Sequence, residues 1–115
     1  MRHHKATKKF GREAGQRKAL MRSLAQALVV REKIKTTETK AKALRPFVEK
    51  LVTRAKVSDL ATRRFLISEI GNQGAKKLLE KIGPKFKDTK GGYTRIIKLP
   101  RRMSDASSMA MIEFV

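Results

Sequence analysis

Tyr93-Thr-Arg-Ile-Ile-Lys-Leu99 and Met109-Ala-Met-Ile-Glu-Phe-Val115 decide the fold class of this chain. In the second stretch Ala110, Ile112 and Phe114 recur at every other position, the period of a strand with one apolar face. The first is short, β-branched and aromatic, and reads as its partner. Between them Pro100–Ser108 is a polar, basic loop. The spacing predicts an antiparallel hairpin over 93–99 and 109–115. A third short strand, Ile34–Glu38, is expected to add alongside.

Upstream the period is helical. Leu20, Leu24 and Leu28 recur every four residues, with Met21, Ala25 and Ala27 beside them, which predicts a first helix over Gly15–Arg31. Thr37 or Thr39 is placed to cap a second helix with Glu38 near its positive end. That helix carries Ala41, Leu44, Val48, Leu51, Val52 and Ala55 as an apolar stripe. Pro46 interrupts it and predicts a kink or a fresh start, since proline removes a donor and crowds the preceding turn. Ser58-Asp59 caps a third helix whose apolar side holds Leu60, Phe65, Leu66 and Ile67. Gly71-Asn72 should end it, and a short fourth helix with Ala75, Leu78, Leu79 and Ile82 should stop at Gly83-Pro84. The expected architecture is α+β: a small mixed domain of about four helices and a three-stranded sheet over residues 15–115, preceded by a basic N-terminal extension over residues 1–14.

Charge points to the partner. Twenty-nine Lys and Arg face ten Asp and Glu, a net charge of +19 over 115 residues. Self-repulsion on that scale opposes compaction unless something anionic compensates it. A membrane surface would call for a long amphipathic helix bearing Trp or Phe, and the chain has no Trp. Cysteine is absent, which excludes disulfides and thiolate zinc sites. No apolar run approaches the length of a signal-peptide core or a membrane span. A soluble intracellular protein bound to nucleic acid is the expectation.

The arm is the densest basic segment, with eight Lys and Arg against Glu13 alone in the first twenty-two residues. Arg2, Lys5, Lys8, Lys9 and Arg12 are suited to neutralise phosphates, and His3, His4 and Phe10 to stack on bases or sugars. Arg17, Lys18 and Arg22 continue the basic run along the first helix. Lys35 lies on the first strand, and Lys40, Lys42 and Arg45 lie at the start of the second helix. Lys85, Lys87 and Lys90 form a further basic run, and Arg101-Arg102 another. Tyr93 and Arg95 share a strand face, where they either present a ring and a guanidinium to RNA or leave Tyr93 as a half-buried core residue. Gly91-Gly92 reads as a turn rather than a phosphate cradle, because a strand and not a helix follows it.

Catalysis and metal binding find no support. The acids are scattered, no nucleophile constellation occurs, and His3 and His4 in an extended arm point apart with no carboxylate near in sequence. The expectation is a protein with no enzymatic activity, cofactor, metal or small-molecule substrate. A competing reading is an architectural protein that coats DNA, with Pro100 and Met103 as wedges on a loop that also holds two arginines.

Several segments together resemble one family. They are Met1-Arg2-His3-His4-Lys5, Ile34-Lys35-Thr36-Thr37, Lys40-Ala41-Lys42-Ala43-Leu44-Arg45, Gly83-Pro84-Lys85-Phe86, Gly91-Gly92-Tyr93-Thr94-Arg95 and Met109-Ala110-Met111-Ile112-Glu113. In that order they resemble large-subunit ribosomal protein seventeen of bacteria, a family shared with organelles. The chain departs from the family pattern over Phe10–Gly15 and at Pro46. The resemblance implies a structural constituent of the large ribosomal subunit, bound to ribosomal RNA in the cytoplasm or an organelle. It implies a place near the polypeptide exit side beside other subunit proteins such as protein thirty-two, with Arg2, His3, Lys5, Lys40, Lys42, Tyr93 and Arg95 as RNA contacts. No catalytic role is implied.

Overall fold

The computed structural model describes residues 13–115. In chain order the elements are α1 (Ala14–Arg31), β1 (Lys33–Thr37), α2 (Glu38–Ala55), α3 (Leu60–Lys77), a π-helical turn (Leu78–Ile82), a single helical turn α4 (Gly83–Lys85), β2 (Thr94–Leu99) and β3 (Met109–Phe114). The α+β architecture is as the two periods imply. Strand β3 is central and antiparallel to both neighbours, in the order β1-β3-β2. Ile112 faces Ile34 on one side and Ile96 on the other. That row, with Ala110 and Phe114, forms the sheet face that packs against the helices.

Alternation then sends Lys33, Lys35, Met111, Glu113, Arg95 and Ile97 to the other face. Beyond the ladder, the Phe114 amide donates to the Glu32 carbonyl and the Val115 amide to the Tyr93 carbonyl, which ties both edge strands to the end of β3.

Helix α2 lies across the sheet and buries Ala41, Leu44, Val48, Leu51, Val52 and Ala55. Thr37 supplies its cap, accepting from the Lys40 amide at 3.3 Å. The break expected at Pro46 is not found, and α2 runs as one helix through it. Proline costs about 3 kcal/mol inside a helix, while each buried Leu or Val gains roughly 1.5–3 kcal/mol. Four such side chains on one stripe outweigh the defect. Pro46 itself is exposed, so the Lys42 carbonyl that loses its helical donor lies on the outward side.

Helix α1 packs on α3 and α2 through Ala25, Leu28 and Val29, and its first half, with Leu20 and Met21, reaches past the fully buried core. It ends at Glu32 in a left-handed conformation, φ 70°, with the Glu32 amide donating to the Leu28 carbonyl. A non-glycine residue there costs about 1–2 kcal/mol. Lys77 and Lys81 approach the Glu32 carboxylate at 3.0 and 3.4 Å, and the Lys77 ammonium also donates to the Val30 carbonyl at 2.7 Å. The strained cap is thereby fastened to the end of α3.

Asp59 caps α3, accepting from the Thr62 amide at 2.7 Å. Gly71, at φ 81° and ψ 174°, breaks the helix where the sequence places a stop. The following helical segment does not end at Gly83-Pro84 as expected. Gly83 is helical, and Pro84 occupies the first turn of α4, where a missing amide leaves no bond unmade. A Cβ on Gly83 would lie 2.8 Å from the Leu78 carbonyl oxygen and 3.0 Å from that of Ala55, so close packing of backbone on backbone is what demands glycine.

Candidate nucleic-acid interface

Ten residues carry negative charge in the whole chain, and six of them accept the ion pairs seen here. Glu38 pairs with Lys42 at 3.0 Å and with Lys98 at 3.7 Å, and Glu32 with Lys77 and Lys81. Arg22 meets Glu69 at 3.0 Å, Arg45 meets Glu49 at 3.7 Å, Arg95 meets Glu113 at 2.6 Å and Arg102 meets Asp105 at 3.4 Å. Lys42 holds the Glu38 carboxyl below its ordinary range, chiefly by hydrogen bonding, and Lys77 does the same to Glu32. The Thr62 and Ser107 amides lower Asp59 and Asp105. Lys77, largely covered, is engaged within the domain by Glu32, whereas Lys42 stays exposed beside its partner Glu38.

The surface cations, paired and unpaired, are unevenly placed. On the outward sheet face, Lys33 and Arg95 flank Glu113 in one row, and Lys35 stands beside Met111 and the exposed Ile97 in the next. The loop after β2 folds back on this face. The Arg102 amide donates to the Ser107 carbonyl at 2.9 Å, Ala106 adopts φ 58°, and the Arg102 guanidinium approaches Met109 Sδ at 3.4 Å. Together Lys35, Leu99, Pro100, Arg101, Arg102 and Met109 surround a depression of about 320 Å³, with Met103 fully exposed nearby. Lys35 of β1 and the adjacent Arg101 and Arg102 that follow β2, the last paired with Asp105, thus meet across one end of the outward sheet face. Arg101 donates to the Ala106 carbonyl at 3.0 Å, which holds the loop and still leaves the side chain exposed. Such a patch can neutralise several phosphates at once.

The other sequence-predicted residues disperse. Arg17, Lys18 and Arg22 lie on α1, with Lys18 exposed and Arg22 engaged by Glu69. Lys40 is half-buried in the first turn of α2 and Lys42 is held by Glu38. Arg2, His3, His4, Lys5, Lys8, Lys9 and Arg12 lie outside the described residues.

Tyr93 is the clear correction. It does not share the outward face with Arg95, because Gly92 at φ 65° turns the chain before the ladder begins at Thr94. The ring is 1% exposed and packs on Phe86 at 5.2 Å between centroids. Its hydroxyl meets Thr53 Oγ1 at 3.1 Å, and the Lys56 ammonium lies 4.7 Å from the ring centroid. Lys56, then Thr53, hold the phenol below its ordinary pKa by hydrogen bonding. A ring so enclosed cannot serve as a stacking platform. Lys33, exposed two positions before Lys35 on the same strand face, was not singled out by sequence reasoning.

Among the described residues no helix is long and apolar enough to cross a membrane. No group of three or more His, Cys, Asp or Glu side chains is placed to hold a metal there. Against known proteins, the model of the family described as ribosomal protein L17 matches residues 20–115. A large ribosomal subunit protein bL17 from Hydrogenobaculum sp. is 52% identical over 117 residues, covering all of this chain and 99% of the relative. The bL17 proteins of Persephonella marina, 53% identical, and Nautilia profundicola, 49% identical, also match the whole chain over 95% and 98% of their own lengths.

Proposed function

The chain belongs to the ribosomal protein L17 family, and from that premise we propose that it holds segments of large-subunit ribosomal RNA together by replacing counterions between them. As a member it is a structural component of the large ribosomal subunit and not an enzyme, working within the ribosome of the cytoplasm. The RNA contacts belong to that proposal. The observation that carries it is the meeting of Lys35, Arg101 and Arg102 across one end of the outward sheet face in a chain with net charge +19. The basic arm (Arg2, Lys5, Lys8, Lys9, Arg12, with His3 and His4) supplies a second set of contacts, and exposed Lys18 and Lys33 extend the reach of the folded part. Recognition is of RNA shape and backbone, with little reading of base edges. Neighbouring subunit proteins, of which protein thirty-two is the one we propose, pack on surfaces the RNA leaves free.

Titration of ribosomal RNA at a series of salt concentrations tests the reading. With five to eight phosphates contacted, log affinity falls with log salt at a slope of roughly −4 to −7. Deleting residues 1–12 weakens binding and leaves the helical circular dichroism signal in place. A slope near zero, or unchanged incorporation into subunits after the deletion, overturns it.

A further inference from the structure

The cleft between α2 and α3 joins two chemistries that the basic sheet face does not combine. Phe47, Leu51, Phe65 and Tyr93 line a cavity of about 630 Å³, the two phenylalanines half-buried and the other two buried. That volume lies within the usual range for small-molecule sites. Exposed Lys50, Arg54 and Lys90 border it. Its two carboxylates are already satisfied. Glu49 accepts from the Thr94 amide at 3.2 Å and the Thr94 hydroxyl at 3.0 Å and pairs with Arg45, while Glu69 pairs with Arg22. Lys50 and Lys90 have no acidic partner among the described residues. The Arg54 guanidinium is held 4.2 Å from the centroid of the Phe65 ring, a cation–π contact that fixes a flat cationic surface at the mouth.

We propose that this cleft is a single-nucleotide subsite: it takes one unstacked base of a single-stranded RNA segment, whose phosphate sits on Lys50 and Lys90. The proposal rests on the RNA-binding reading and adds a place and a mode to it. A nucleobase has two apolar faces for Phe47 and the Arg54–Phe65 stack, and its backbone carries the anion the lysines lack. An apolar peptide side chain would fill the floor and leave three cations without a counterion. A free phosphate would use the lysines and leave the aromatic floor wet. Charge and surface together therefore favour the nucleotide. Stacking tolerates any base, so sequence preference at the subsite is weak.

Two measurements test this. The chain has no cysteine, so Gly91→Cys, whose Cβ would meet no atom within 4 Å, carries one benzophenone label at the mouth of the cleft and leaves Lys50 and Lys90 in place. In large subunits assembled with the labelled full chain, irradiation should yield an adduct with ribosomal RNA. An adduct with a neighbouring protein, or none, overturns the proposal. In solution, Phe47→Leu keeps the apolar volume and removes the ring, and should weaken binding of a single-stranded hexaribonucleotide about tenfold, the loss of one stacked base. Ribosomal RNA binding by Lys35→Gln is measured in parallel. If that variant weakens ribosomal RNA binding while Phe47→Leu leaves the hexamer affinity unchanged, the subsite fails and the broader function stands. If the unaltered chain ignores ribosomal RNA at low salt, both fail.

Discussion

The Tyr93 hydroxyl lies 3.1 Å from Thr53 Oγ1, and Thr53 in turn donates to the Glu49 carbonyl at 3.0 Å. The chain leading into β2 is thus pinned to α2 by a buried phenol. Tyr93→Phe should lower stability by about 1 kcal/mol, the net worth of one hydrogen bond. Tyr93→Ala should cost roughly 3–5 kcal/mol through the cavity it leaves. Urea midpoints measure both. Ribosomal RNA affinity of Tyr93→Phe should match that of the unaltered chain, which separates a core residue from a stacking one.

Gly83 allows the turn after α3 to touch the end of α2. A methyl group there would meet two carbonyl oxygens, those of Leu78 and Ala55, and neither is the movable end of a side chain. Gly83→Ala is expected to destabilise by about 1–3 kcal/mol through overpacking. Gly91→Ala serves as the control, since no atom lies within 4 Å of its Cβ position. A thermal melt that ranks the two equally would refute the close-approach account.

Lys35 stands exposed on the sheet face beside Arg101 and Arg102 and has no acidic partner among the described residues. Lys35→Gln should leave stability within about 0.5 kcal/mol. It should also reduce the magnitude of the salt slope for ribosomal RNA binding by about one, the signature of one lost phosphate contact. Lys42→Gln should change that slope far less, because Lys42 is already paired with Glu38.

Acid should loosen the fold in a defined direction. Glu32, Glu38, Asp59 and Asp105 all titrate below their ordinary values in the folded chain, through Lys77, Lys42, the Thr62 amide and the Ser107 amide respectively. Their contribution is complete above the ordinary carboxylate range, near pH 4, and is lost as pH falls through the lower folded values. In that window the unfolded chain holds protons that the folded chain has released, so stability decreases with decreasing pH. Urea midpoints between pH 7 and pH 2 should show this fall, and Glu32→Gln should make it shallower. A flat profile would mean these contacts do not hold in solution.

Local signals in the chain reported local structure well. The caps at Thr37 and Asp59, the break at Gly71 and all three strands stand within a residue or so of where period and turn chemistry put them. Pro46 and Gly83-Pro84 misled for a common reason. Each is a helix breaker by intrinsic preference, and each is overruled by burial around it: the Leu44–Val52 stripe in one case, the Ile82–Phe86 packing in the other. The basic character of the site was legible as residue types, whereas the availability of each cation was not.

Alternation, helical spacing and the surplus of Lys and Arg belong to neighbouring positions, so the linear chain alone determined an α+β domain and most of its elements, and pointed toward a polyanionic partner. The tertiary structure alone decided that β3 sits between β1 and β2, that Tyr93 turns inward, and that Arg22, Lys42 and Arg95 are bound to carboxylates while Lys35 and Lys50 have no acidic partner among the described residues. The physical reason is range. A charge declares itself at its own position, but the carboxylate that neutralises it arrives through folding, as Glu69 reaches Arg22 from 47 residues away.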